Sequence, residues 1–211
     1  MKSIKGQGAA ACPNCGENFD AEFWSLVRGD ADAELKDSLL GGELNLISCP
    51  ACGAFFYHDR NIIYFDPPNE LLAFVSPGGD KKDFEAVKAK MKRDFKTLKE
   101  NLASMNISYE PFYLAGLEEL KAMLDYEAAA AAQSEVIAAL SAQLGFKLAA
   151  LRRAGARVSG YPFYLPVDGG AYTREGLIKA AQAVLKQNPA LNMLETFIKD
   201  MQAGKELPPR I

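Results

Sequence analysis

Two five-residue stretches decide the reading of this chain: Cys12-Pro13-Asn14-Cys15-Gly16 and Cys49-Pro50-Ala51-Cys52-Gly53. They hold all four cysteines of the 211-residue sequence. Two Cys-x-x-Cys pairs form the ligand set of a four-thiolate site, with each sulfur about 2.3 Å from a zinc ion. A pair can aim both sulfurs at one ion only if the backbone turns tightly and leaves free N–H groups facing them. Pro13 and Pro50 fix φ just after the first ligand. Gly16 and Gly53, just after the second, permit positive φ. Pro13, Gly16, Pro50 and Gly53 therefore read as the turn residues of two metal knuckles. Cys12, Cys15, Cys49 and Cys52 are the expected ligands. Phe19 after the first pair, and Phe55 and Phe56 after the second, are placed to shield the ion.

Two other chemistries use similar pairs. A thioredoxin-like or glutaredoxin-like site needs one pair opening a helix in a βαβ unit. Here there are two pairs, each followed by Gly, with no buried parallel strand before Cys12. A rubredoxin also joins two knuckles across a long gap and binds iron for electron transfer, but its compact domain ends soon after the second knuckle. The 33 residues between the pairs (16–48) exceed the common zinc-ribbon spacing of about 15–20. A helical insert carrying Leu35, Leu39 and Leu40 accounts for the excess, and a sizeable helical half follows. One structural zinc ion is the expectation, with iron the lesser alternative. Four thiolates complete a tetrahedron, so His58, the only histidine, is not expected among the ligands. A catalytic zinc keeps an open position, usually beside His or carboxylate. A closed four-cysteine set is structural, contributing roughly 10–16 kcal/mol of apparent binding free energy.

Working outward from the pairs, the chain is expected to be α+β: an N-terminal zinc-ribbon-like, β-rich domain with a helical insert, then a mainly α-helical region. Residues 1–8 read as a flexible tail, 9–76 as the cysteine domain, 77–79 as a linker within Ser76-Pro77-Gly78-Gly79, and 80–211 as helical. Strands are predicted at Phe19–Val27, Leu44–Ile47, Phe55–Tyr57, Ile62–Phe65 and Leu71–Val75, with a turn at Asp66-Pro67-Pro68-Asn69. Asp30 or Asp32 can cap the insert helix, which stops at Gly41-Gly42.

In the rear part Phe84, Val87, Met91, Phe95, Leu98, Leu102 and Met105 make a helical stripe suited to packing on another helix. Lys88, Lys92, Lys96 and Lys99 lie on a different face, the available interaction surface. Further helical periodicity runs from Leu114 to Leu124 and from Ile137 to Leu151, where Arg152-Arg153 suits a helix C-terminus. Residues 155–172 read as an ordered loop or short extended piece. Thr173 can cap a helix through Lys186, and Asn188-Pro189 can start another that Gly204 ends.

The two CPxCG motifs, the run Phe19-Asp20-Ala21-Glu22-Phe23-Trp24 and the segment Glu34-Leu35-Lys36-Asp37-Ser38-Leu39-Leu40-Gly41-Gly42-Glu43-Leu44-Asn45 resemble the bacterial and archaeal CpXC domain. The resemblance covers about residues 9–76, and the family pattern extends into a following helical region. It implies a fold and a bound metal, with Cys12, Cys15, Cys49 and Cys52 as the defining positions.

Composition narrows the function classes. Hydrophobic residues make up 49% and charged residues 24%, with 24 basic and 27 acidic residues for a net charge of −3. This is a globular composition with no general attraction to nucleic acid and no membrane span. Residues 17–46 carry eight acids and two bases, whereas 80–101 carry eight bases and five acids. The acidic stretch argues against a nucleic-acid-binding ribbon, which would have the lysine face, Tyr57 and Tyr64 to work with. Ala9-Ala10-Ala11 before Cys12 looks like a lipoprotein signal tail, but the apolar core that should precede it is missing. A cytoplasmic location with reduced cysteines is expected. One histidine, no Ser-x-Gly elbow and no phosphate loop leave little catalytic equipment. A non-enzymatic interaction or scaffold module is the first reading, with a protein partner or self-association through the amphipathic helices. The alternatives are a rubredoxin-like electron carrier, a zinc-thiolate redox switch, and the nucleic-acid-binding ribbon.

Overall fold

The computed structural model describes residues 2–58, 60–76, 84–101, 107 and 109–211. Two compact units emerge, Met1–Ala122 and Met123–Ile211. The expected 77–79 linker lies outside the described residues.

The first unit is built on a mixed five-stranded sheet. Strand β1 (Ile4–Ala11) pairs antiparallel with β2 (Asn18–Arg28), and β2 runs parallel to β5 (Ile62–Asp66). β5 is antiparallel to β6 (Leu71–Val75), which runs parallel to β7 (Phe112–Leu114). β5 and β6 are near-continuous apolar runs buried along their length, as central strands must be. Pro67 and Pro68 start the single 3-10 turn between them, and Glu70 closes it at φ +49°.

Residues 4–8 were expected in a flexible tail and instead form most of β1. The polar, glycine-rich composition conceals a packing role. A Cβ on Gly6 would stand 2.9 Å from the Phe23 ring, so the small residues make room for that ring. The Ser3 amide also donates to the Asp32 carboxylate at 3.2 Å. Asp32 stands at the N-cap position of α1 (Ala33–Leu40) without capping it.

A separate hairpin, β3 (Leu46–Ser48) against β4 (Phe55–Tyr57), carries the second cysteine pair. Asn45 fastens it to β2: its amide oxygen accepts from Trp24 N–H at 2.7 Å, and its amide nitrogen donates to the Trp24 carbonyl at 3.0 Å. Helix α2 (Phe84–Asn101) lays Val87, Met91 and Phe95 against Phe65, Leu72 and Phe74 of the sheet. The stripe thus meets strands, where a neighbouring helix was expected. The side chain of Leu98, with Leu102 and Met105, lies outside the described residues.

The rear of the chain is less purely helical than its periodicity suggests. Leu114 ends β7, and α3 (Leu117–Gln143) starts three residues later. It stops before Gly145, which turns at φ +75°. Lys147–Ala150 is then strand β8, antiparallel to β9 (Tyr164–Val167). Arg152 and Arg153 therefore open α4 (Arg153–Ser159) instead of closing a helix. Thr173 caps α5 (Arg174–Gln187) by accepting from Gly176 N–H at 3.2 Å, as predicted. The last helix, α6 (Asn192–Gln202), begins three residues later than expected. Asn188 turns back instead, accepting from Ala190 N–H at 3.1 Å. Leu165, Leu177, Val184, Leu194, Phe197 and Met201 sit in the core of the second unit. The fold is α+β, with a β-rich front sheet and helices after it. No helix among the described residues is long and apolar enough to cross a membrane.

Candidate metal centre

The two cysteine turns share one backbone geometry. In the first, Gly16 N–H donates to the Cys12 carbonyl at 2.9 Å, and Cys12 N–H donates to the Glu17 carbonyl at 2.8 Å. In the second, Gly53 N–H donates to Cys49 and Cys49 N–H to Ala54, both at 2.9 Å. Gly16 and Gly53 take φ of +75° and +70°. The first turn joins β1 to β2, and the second joins β3 to β4, so each hairpin presents its own pair of sulfurs.

All four Sγ atoms lie within 4.8 Å of one another. Cys12 and Cys52 are 3.7 Å apart, as are Cys15 and Cys49. Neighbouring sulfurs of a tetrahedron with metal–sulfur bonds near 2.3 Å lie about 3.8 Å apart. The donor set is therefore sized for one ion. Cys12 and Cys49, the first ligand of each turn, are buried, while Cys15 and Cys52 face solvent.

Electrostatics favours a cation at the same point. The Asn14 side-chain amide and the Ala54 backbone N–H draw the Cys52 thiol down to about 6. Glu17 pulls Cys15 down through the backbone, but the neighbouring sulfurs, Cys52 foremost, and partial desolvation push it up to about 12. Four crowded sulfurs cannot all ionise unless a positive charge sits among them. These residues can hold a metal ion.

The surroundings correct one expectation and add two residues. Phe19 and Phe56 meet edge to face at 6.2 Å, whereas Phe55 is 72% exposed and shields nothing. Asn14 occupies the variable position of the first motif and donates to the Cys52 sulfur at 3.5 Å, linking the two turns. A polar amide between the ligands, against Ala51 in the partner motif, was the available signal. Asn45 was signalled only by lying between a double glycine and a strand. His58 is outside the sulfur cluster, buried, with its ring 4.5 Å from that of Phe23.

Lys88, Lys92, Lys96 and Lys99 of α2 are not brought to this site. The Lys88 ammonium pairs with Glu85 at 3.6 Å, Lys92 sits over the Tyr113 ring and Lys99 over the Phe95 ring. Lys96 is exposed.

No curated protein and no solved structure gives a significant match to the chain. A family profile described as CpXC protein matches residues 10–135. That span takes in all four sulfurs, the second hairpin, the last two residues of β1, the other four strands of the sheet and most of α3. With more than half of its length matched, this chain belongs to the CpXC protein family.

Proposed function

We propose that this protein is a non-enzymatic scaffold whose front hairpins are locked by one structural zinc ion and whose surface serves a protein partner. The observation that carries this reading is the pair of 3.7 Å sulfur separations, close to the edge of a zinc–thiolate tetrahedron. A closed thiolate set leaves no position for a reacting water. Iron would fit the same sulfurs, so the ion has to be identified directly.

Helical partner surfaces are limited by what the second unit keeps for itself. Leu177 and Val184 of α5, and Leu194, Phe197 and Met201 of α6, are buried in their own core. Val136, Leu144 and Val158 remain exposed there. In the first unit three exposed apolar side chains, Leu46, Phe55 and Tyr57, share the second hairpin.

Metal content and solution mass of the purified full chain test the reading together. The expected result is one zinc per chain and no visible absorption. Stoichiometric iron with the colour of iron–thiolate would replace the scaffold by an electron carrier. The exposure of Cys15 and Cys52 favours a second reading, a zinc-thiolate switch. Oxidant-driven zinc release reversed by a thiol reductant would establish it.

A further inference from the structure

A cavity of about 620 Å³ lies beside the first cysteine turn. It is lined by Ala9, Ala10 and Ala11 on one side and by Phe56, Tyr57, His58 and Arg60 on the other, with Pro13 at the cysteine end. Both strand contributions are runs of consecutive residues. Side chains alternate between the two faces of a strand, so a cavity on a face meets every second residue. Consecutive residues of one strand reach it only where main-chain atoms also line it. β1 has β2 on one side and no partner on the other, and β4 has only β3 among the described residues. The cavity is therefore bordered by two strands that each have one edge with no strand partner among the described residues.

Its size can be compared with that of a strand. Strands lie about 4.8 Å apart within a sheet, sheets stack about 10 Å apart, and a residue rises about 3.3 Å, which gives roughly 160 Å³ per residue. The cavity holds about four residues of extended chain. Alanines along β1 let another backbone come close. Leu46 and Tyr57 face each other across the β3–β4 ladder, as do Ser48 and Phe55. Leu46, Phe55 and Tyr57 are thus one exposed apolar face where a strand added beside β4 would place alternate side chains.

Charge identifies the other half of the occupant. Arg60 is exposed at the cavity wall and has no ion pair or hydrogen bond among the described residues. Its guanidinium lies 3.8 Å from where a Gly8 side chain would begin, so it hangs over β1. An unpaired arginine is suited to bind a carboxylate through two parallel N–H donors.

We infer that the cleft between β1 and β4 binds an extended peptide segment of a partner protein, added as a strand, with alternate apolar side chains and an acidic residue that pairs with Arg60. This deepens the scaffold reading and rests on it, since the metal fixes the hairpins that bear the two edges. Binding by strand addition takes affinity from main-chain hydrogen bonds and selectivity from alternate side chains.

The test uses the full metal-loaded chain and a fluorescein-labelled peptide, Ser-Val-Glu-Val-Glu-Val-Ser, followed by fluorescence anisotropy. Saturable binding is expected, with the Lys-for-Glu twin about fivefold weaker, the scale of an exposed ion pair. Arg60→Glu, an exposed substitution, is expected to invert that preference. Alternate backbone N-methylation of the peptide, in the register that faces the β4 edge, is expected to abolish binding. The inference is overturned by absence of saturable binding, by an unchanged preference in Arg60→Glu, or by equal binding of both N-methylated registers. A dimer that R60E dissociates, with no peptide binding, would give the cleft to a second copy and overturn it too. Metal content measured on the same samples keeps the two readings apart: a full metal site without peptide binding removes only the cleft.

Discussion

The tip formed by the two cysteine turns and the second unit are held together by different physics. Around the turns, residues 13–18 and 50–55 are largely exposed, and the buried side chains are the sulfurs of Cys12 and Cys49. Little apolar surface is buried at the turns themselves, so in the proposed function coordination supplies what burial does not. The second unit buries a contiguous cluster from Ala130 to Met201 that includes Phe163, Leu165 and Phe197. Apolar burial alone can order it. Under the proposed function one chain carries a metal-dependent tip and a rear unit that does not need the metal, and the difference can be attacked from either side.

The largest effect is expected from removing a ligand. Cys12→Ser leaves three thiolates around a buried position and forfeits much of a binding free energy of about 10–16 kcal/mol. Metal content should fall below stoichiometry, and amide hydrogen exchange should accelerate in both hairpins. Residues 123–211 should keep their protection. Loss of protection throughout would mean that the rear unit also depends on the metal, and the contrast would vanish.

The converse experiment is Phe197→Ala. Phe197 is fully buried, with the Tyr161 ring edge-on at 5.3 Å. Truncation of a buried Phe typically costs about 3–5 kcal/mol. The rear unit should unfold at markedly lower denaturant while zinc stoichiometry stays unchanged. A smaller effect comes from Gly53→Ala. Nothing lies within 4 Å of the added methyl, so the cost is conformational only. At φ +70° it amounts to about 1–2 kcal/mol. It should appear as weaker retention of zinc against a chelator, with the melting of residues 123–211 unmoved.

This contrast explains which parts of the structure were legible in the sequence. Cysteine spacing with Pro and Gly at fixed offsets states a local geometry, so the ligands and both turns could be read residue by residue. Buried runs such as Ile62–Phe65 and Leu71–Val75 declared their strands for the same local reason. Helical periodicity states only which side is apolar, and so could not say that α2 would meet a sheet. It also carried past Gly145, although the chain breaks there at a positive φ and pairs residues 147–150 with 164–167. Residues 4–8 were misread because composition ignores a partner: Gly6 and Gly8 are small on account of Phe23, 17 and 15 positions away. Asn14 and Asn45 act across the gap between the motifs, where no periodicity points.

The smallest expected effect sharpens the comparison by pH. Acid should loosen both regions, for different reasons. Thiolate ligands take up protons and release the ion, since metal binding and protonation compete for the same sulfurs. In the rear unit the group to watch is Asp200, held below the ordinary carboxylate range by donation from the Lys205 ammonium and then from the Tyr161 hydroxyl. Both contacts are 2.8 Å. A carboxylate depressed in the folded state contributes stability above its unfolded value, about 3.9. That contribution is lost as pH falls through the lower folded value. In Asp200→Asn the amide can still accept from Tyr161 but does not titrate. Denaturation of residues 123–211, followed by hydrogen exchange between pH 6 and 2, should therefore be less steep in the variant than in the parent chain. Equal slopes would assign the acid response of the rear unit to other carboxylates, while the response of the cysteine hairpins should be the same in both proteins.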